Sequence, residues 1–363
     1  MSAPRPLPRI GYAPWGETLD ELVAAGRAAR EAGADTLWAG ELHRSATITA
    51  AALAPVAGPA RVGTAVALAF VRSPLTTALE ALDLDELSAG RFVLGLGSGV
   101  RRLNEDWHRT AFDPPVRRLR ETVACIRAFT AACADGGTIE AGGDVTGVRI
   151  RGYRRPFPPL RPRIPVHLAA VGPAMTRLAG EIADGWIGHE LGSPAHLKDT
   201  VLPGLAEGRA RRPPAPAAPR PDGRAAADGG LDGFEVIASA CCAIDPDPRR
   251  AHRLAAGGLG FYASVRTYGP LFAAHGLEAA QRRVVEEFRG AGARADRLGH
   301  VVDPDMTRAL ALTGTPEEVA ERLTEYAAVA DSVKLGPPVH GLEPREIRAA
   351  QAAVIDFIRE VRA

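Results

Sequence analysis

The sequence predicts an α/β protein: a (β/α)8 TIM barrel with insertions and a helical cap. Three observations predict it. Short apolar runs alternate with longer amphipathic stretches, the signature of βα units and a parallel sheet. Eight such runs can be counted, each followed by a helical crossover. The length of 363 residues suits one barrel with insertions. A doubly wound open sheet is the competing topology.

The elements follow in order. Arg9–Ala13 is the first strand. Thr18 caps a helix through Ala32, with Asp20 and Glu21 in its first turn and Gly33 at its end. Thr36–Gly40 is the second strand. Val62–Phe70 is the third, almost wholly apolar, as a strand buried on both faces should be. Pro74 opens a helix to Leu87, and Arg91–Leu96 is the fourth strand. A long amphipathic helix spans Arg117–Ala134. Residues 141–163 break the rhythm with glycines, arginines and a proline run, and are expected as an inserted loop or hairpin. Strands five and six are Pro165–Ala170 and Trp186–His189, with helix Pro173–Ala183 between them. After helix Pro194–Arg209, residues 207–233 are so rich in Ala, Pro, Arg and Gly that a flexible loop is expected. Glu235–Ile244 is the seventh strand, and 247–311 reads as a helical insertion over the barrel mouth. Thr315 opens helix Pro316–Ala330, Ser332–Leu335 is the eighth strand, and Pro344–Arg362 closes the chain. Residues 1–363 are thus expected to form a single domain.

Composition narrows the function. Hydrophobic residues make up 46% and charged residues 24%, as in an ordinary soluble globular protein. The net charge of +1 gives no field favouring nucleic acid or an anionic membrane. No signal-peptide core and no membrane-length apolar run is present. Cys125, Cys133, Cys241 and Cys242 lack metal-binding spacing, so a reduced, cytoplasmic protein is expected.

In such a barrel, ligands sit at the carboxyl ends of the strands. There the fourth strand runs into Gly95-Leu96-Gly97-Ser98-Gly99. Alternating glycines let backbone N–H groups point at an anion, and Ser98, Arg102 and Asn104 stand nearby. Position 100 is Val100, so the dinucleotide fingerprint is incomplete. Arg101–Trp107 reads as an ordered loop. After the fifth strand, Ala169-Ala170-Val171-Gly172-Pro173 leaves room for a flat ligand, and the helix start behind Gly172 offers a second anion site. Glu41 and His43 after the second strand, and His189-Glu190 after the sixth, suit proton transfer. Neither pair has a third ligand at metal spacing, so no metal is expected. Lys334, one of two lysines, falls in the last strand, where a reach to solvent is the simpler reading.

Taken in order, these segments resemble the luciferase-like monooxygenase superfamily, and within it the deazaflavin branch that uses coenzyme F420. The matching pieces run from Gly63-Thr64-Ala65-Val66 with Arg72 and Pro74, through Arg91 to Gly99 with Asn104 and Trp107, to Ala169–Pro173 and Thr313–Val319. The resemblance implies a flavin or deazaflavin at the carboxyl end of the barrel. It implies a non-proline cis peptide near Ala65–Val66, behind the ring, with Leu68 at the ring edge. It implies that Gly97, Ser98, Gly99 and Asn104 contact the phosphate or ribityl chain, and that Ala169, Ala170, Val171, Gly172 and Pro173 line the cofactor. Where the family's histidine directly follows the acid, this chain has Leu42. The expected chemistry is hydride transfer between F420 and a small organic substrate, with His43, Glu41 or His189 handling the proton. Phe261, Tyr262, Tyr268 and Phe272 are candidates to roof the substrate. An FMN-dependent monooxygenase and a non-catalytic cofactor-binding barrel are the alternatives. A phosphosugar barrel would place its phosphate turn after strands seven or eight, not four. A homodimer is expected as well.

Overall fold

The computed structural model describes residues 7–161, 163–212, 231–290 and 294–363. Its fold is a closed eight-stranded parallel (β/α)8 barrel surrounded by helices, which excludes the doubly wound sheet. The strands are β1 (Arg9–Tyr12), β2 (Thr36–Ala39), β3 (Arg61–Thr64), β4 (Ala67–Leu68), β5 (Phe92–Gly97), β6 (Gly137–Gly142), β7 (Gly147–Tyr153), β8 (Val166–Ala169), β9 (Gly185–Ile187), β10 (Glu235–Ile244), β11 (Leu312–Gly314) and β12 (Ser332–Gly336). The helices are α1 (Leu19–Glu31), α2 (Ala46–Leu53), α3 (Pro74–Leu87), α4 (Pro115–Asp135), α5 (Pro173–Ile182), α6 (Pro194–His196), α7 (Leu202–Arg209), α8 (Pro248–Ala263), α9 (Gly269–Ala273), α10 (Glu278–Gly290), α11 (Pro304–Leu310), α12 (Pro316–Tyr326) and α13 (Pro344–Arg362). The chain separates into two compact units, each assembled from discontinuous segments.

One unit holds Thr36–Ile187 and Pro203–Glu235. Its parallel strands run β2–β3–β5–β8–β9, with Leu37 beside Val62, Val62 beside Phe92, Leu94 beside Val166 and Leu168 beside Trp186. All six residues of β5 are buried, as expected of a strand covered on both faces. The third strand is not continuous. It stops at Thr64, passes through a cis peptide bond between Ala65 and Val66, and resumes as β4, where Leu68 pairs with Gly97. The inserted segment is an antiparallel hairpin, β6–β7, that begins at Gly137, ahead of the expected boundary. Helix α2 has no counterpart in the sequence reading. Its Ala- and Thr-rich run ATITAAAL carries no amphipathic period, and Ser45 Oγ caps it by accepting from Ile48 N–H. Glu207–Arg209 belong to α7, so the proline-rich segment starts later than expected. Of the 207–233 loop, residues 213–230 lie outside the described residues.

The other unit holds Met1–Asp35, Gly188–Leu202 and Val236–Ala363. Its parallel strands run β1–β12–β10–β11, with Ile10 and Ala238 flanking Val333, and Cys242 beside Leu312. Of the expected 247–311 insertion, residues 291–293 lie outside the described residues, and the rest carries α8 to α11. It gathers a core of its own around Leu259, Phe272, Val284, Leu298 and Met306. Helix α12 starts with a complete capping box, Thr315 with Glu318. On α13, Gln351 Oε1 accepts from the Tyr12 hydroxyl at 3.2 Å. Tyr12 therefore points toward that helix. Its register partner Leu335 shares that face of the sheet, and Lys334, one residue earlier, faces the opposite way.

Candidate active site

In the first unit, the ends of β4, β5 and β8 form a shelf of small residues, Gly97, Gly99, Ala169 and Ala170, with Val66 and Leu68 packed on the glycines. A Cβ on Gly97 would stand 2.7 Å from Val66 Cγ2 and 3.6 Å from Ala169 Cβ, so Val66 already packs onto Gly97 and a larger residue would displace it. Gly99 has φ of +65°, a left-handed conformation that side chains disfavour, and a Cβ there would meet Leu68 Cδ2 at 2.9 Å. Ala65 and Val66 are half-buried, while Leu68 is buried beneath the turn.

The turn after β5 is held from within. Ser98 Oγ donates to the Gly99 carbonyl at 3.0 Å. Asn104 is fully buried and donates through Nδ2 to the carbonyls of Ser98 (2.8 Å) and Val100 (3.0 Å). Both amide hydrogens are thus spent on the turn. Asn104 shapes the cradle, while its buried Oδ1 has no hydrogen-bond partner among the described residues. The segment Arg101–Trp107 is helical, with a wide turn over Leu103–Trp107, rather than the loop expected. The side-chain bonds of Asn104 tie this helical turn back to the carbonyls of Ser98 and Val100.

Behind Ala169 and Ala170 the chain enters α5. The Ala170 carbonyl accepts from Trp186 Nε1 at 2.9 Å, which fixes the strand end. Val171, Gly172 and Pro173 are exposed. Gly172 is the N-cap and has no side chain to cap the helix. The first-turn N–H groups of α5 are therefore open to an external anion.

Glu41 sits lower in the same unit. Arg72 donates to both of its carboxylate oxygens, and the Leu68 N–H donates to Oε2 at 2.7 Å. Burial pushes this carboxyl up, but the bonds from Arg72 and the Leu68 amide outweigh that and hold it below its ordinary value. An ionised carboxylate clamped in this way is a poor proton donor. His43 is exposed in the loop before α2.

The second unit carries a separate polar cluster. His189 packs against Tyr262 and Tyr268, with ring centroids 4.6 and 4.4 Å away. Burial lowers its pKa to about 4, against a smaller upward pull from Glu190. Glu190 lies 3.5 Å from Lys334 Nζ and accepts from the Tyr262 hydroxyl at 3.4 Å. Burial raises the Glu190 carboxyl, but Lys334 and the two neighbouring histidines bring it below its ordinary value. His340 stacks on Phe261 at 4.7 Å. Lys334 is buried, which corrects the reading of a lysine reaching solvent. Phe272 is wholly buried and belongs to the helical core, so it cannot roof a substrate; Phe261, Tyr262 and Tyr268 keep exposed surface. Sequence reasoning missed the Glu41–Arg72 and Glu190–Lys334 pairs. The one available signal was the rarity of lysine in this arginine-rich chain.

A family model described as luciferase-like monooxygenase matches residues 2–332. The chain belongs to this family. Among luciferase-like relatives, it is 35% identical over 192 residues to a putative coenzyme F420-dependent oxidoreductase of Mycobacterium tuberculosis, covering 49% of this chain and 53% of that one. The structure of the coenzyme F420 dependent tetrahydromethanopterin reductase from Methanopyrus kandleri matches with a TM-score of 0.76 at 19% identity, covering 98% of this chain and 97% of the other. An FMN complex of the oxygenating constituent of 3,6-diketocamphane monooxygenase from Pseudomonas putida matches at 0.63 and 14% identity, with 98% of both chains covered. Luciferase-like relatives thus include both F420 and FMN proteins, and the family supports an enzyme. No helix among the described residues is long and apolar enough to cross a membrane.

Proposed function

We propose that this luciferase-like protein is an oxidoreductase that transfers a hydride between coenzyme F420 and a small organic substrate. The observation that carries the reading is the shelf at Val66, Gly97, Gly99 and Ala169. It is built of small residues, with Val66 and Leu68 packed closely on Gly97 and Gly99, a surface that suits a planar tricyclic ring. The uncapped start of α5 beside it suits the cofactor's phosphate. When bound, reduced F420 supplies a hydride from its ring carbon.

The chain's own residues do the rest. Ala65 and Val66 back the ring, with Leu68 beneath. Gly97, Ser98 and Gly99 admit the ribityl chain, and Ala169 to Pro173 line it by backbone. Asn104 holds the turn in shape. Glu41 positions Arg72 and the Leu68 amide, leaving His43 and His189 as the proton-handling candidates. His189 Nδ1 accepts from the Leu191 N–H at 3.2 Å, and burial lowers its pKa to about 4, so the ring stays uncharged at neutral pH and is a weak base there.

FMN is the second reading, favoured by the FMN-bound structural relative. Titrating the purified protein with each cofactor and following fluorescence separates the two. Saturable quenching of F420 with none of FMN is expected; tight FMN binding without F420 binding would sink the first reading. A cytoplasmic location accords with four free cysteines. A homodimer accords with the exposed Ile48, Leu79 and Leu87 on α2 and α3, and light scattering of the eluted protein tests it.

A further inference from the structure

In the first unit, the amino end of β8 carries an excess of half-buried positive charge. Asp184, just ahead of β9, accepts from Arg127 at 3.0 Å, from Arg163 and from the Val166 N–H at 3.1 Å, and Arg212 stands 3.6 Å away. Arg209 donates to the Asp232 carbonyl at 2.7 Å and feels the charges of Asp184, Asp232, Arg163 and Arg212. In this cluster four guanidiniums, of Arg127, Arg163, Arg209 and Arg212, face two carboxylates, of Asp184 and Asp232. Their donors are not all used. Arg127 Nε and Arg209 Nη1 are buried and have no acceptor among the described residues. Burial holds both arginines below their ordinary pKa, and neighbouring arginines push the same way. Buried cations that lack acceptors are costly, and an anion relieves that cost. There is also room for one. A cavity of about 190 Å³ opens beside Arg127 and Arg163, and its other walls are mainly apolar, among them Leu94, Ile126, Ile164 and Val166.

From this we infer that the cavity binds a small monocarboxylate with a compact apolar body, of the size of benzoate. Three features select this ligand. The planar guanidinium forks match a planar carboxylate. The apolar walls suit a hydrocarbon body and disfavour inorganic phosphate, whose surface is polar all round. An apolar cavity of about 150 Å³ takes one benzene ring, so this one holds a single ring and not a larger body. Asp184 repels the incoming charge, but the four arginines around it outweigh that repulsion. The place is distinct from the shelf, since Val166 begins β8 and Ala169 ends it. The inference therefore stands apart from the oxidoreductase reading.

Calorimetry on the full chain with benzoate, benzyl alcohol and inorganic phosphate tests this. Benzoate should bind saturably and about tenfold tighter than benzyl alcohol, the worth of one hydrogen bond from a charged donor. Inorganic phosphate should bind more weakly than benzoate. Arg163→Gln should remove most of the preference for benzoate over the alcohol; the position is half-exposed, and Asp184 keeps Arg127. Ala131→Leu, which narrows the cavity from α4, should weaken both organic probes. Thermal melts confirm that each variant is folded. The inference is overturned by no benzoate binding, by phosphate binding as tightly as benzoate, by a preference that survives in Arg163→Gln, or by benzoate binding unchanged in Ala131→Leu. Competition with F420 keeps this site apart from the shelf: benzoate that F420 displaces would lie on the shelf and overturn the inference, whereas benzoate bound alongside F420 supports it.

Discussion

Arg72 grips both carboxylate oxygens of Glu41, and the same carboxylate takes the Leu68 N–H at 2.7 Å. One acidic side chain thereby ties the end of β2 to the bulge between β3 and α3. Glu41→Gln keeps the shape but loses the charge. It should cost about 2 kcal/mol of stability in urea unfolding, since it leaves a half-buried guanidinium without its full partner. The pH dependence has a definite sign. The folded pKa of Glu41 lies below its unfolded value, so its contribution is present above the ordinary glutamate range and is lost as pH falls through the lowered folded value. The native chain should therefore lose stability on acidification more than Glu41→Gln does.

Gly172 offers a test in which stability and binding move in opposite directions. A Cβ at this position meets nothing within 4 Å. Gly172→Asp would supply the missing N-cap of α5 and should raise stability by a few tenths of a kcal/mol, about 0.3. The new carboxylate would occupy the place proposed for the cofactor phosphate. F420 affinity should fall at least about tenfold, from lost hydrogen bonds and like-charge repulsion. A variant that is more stable and binds F420 unchanged would move the phosphate elsewhere.

Gly97→Val should abolish cofactor binding and cost some stability, because its side chain overlaps Val66 and forces it to shift. Gly99→Ala should behave differently. Its φ of +65° makes the cost mainly conformational, about 1–2 kcal/mol, with a smaller loss of affinity. Comparing unfolding midpoints with F420 quenching in the two variants separates the effects.

His189 gives a second pH signature. Its folded pKa of about 4 is below the unfolded value near 6.5, so the unfolded chain binds more protons between them. Stability should fall by about 2 kcal/mol as pH drops through that window. His189→Gln should flatten that part of the curve, and an unchanged curve would mean that the imidazole is well solvated.

The barrel was legible in the sequence because alternation between apolar strands and amphipathic helices is a local, periodic signal. The caps Thr18 and Thr315, the bounds of β10 and the length of α3 could be read from neighbours only a few residues apart. The break in the third strand was foreshadowed by family resemblance, not by pattern: Val62–Phe70 reads as one apolar run. Ala169 to Pro173 stood out as a place where side chains vanish. Glu41 and His43 looked alike on paper, as an acid and a base at a strand end. What parted them was Arg72, 31 residues away, which pairs with Glu41 while His43 stands exposed. Asn104, read as a cofactor contact, also braces the turn through Nδ2. Lys334 looked like a solvated strand end until burial and Glu190, 144 residues distant, gave it a partner. The sequence by itself determined the fold class, the family and the small-residue cradle, because propensity, periodicity and side-chain size are local properties. Which charges are paired, buried or left with open donors was decided only by tertiary structure, because pairing and desolvation depend on residues that the chain brings together from far apart.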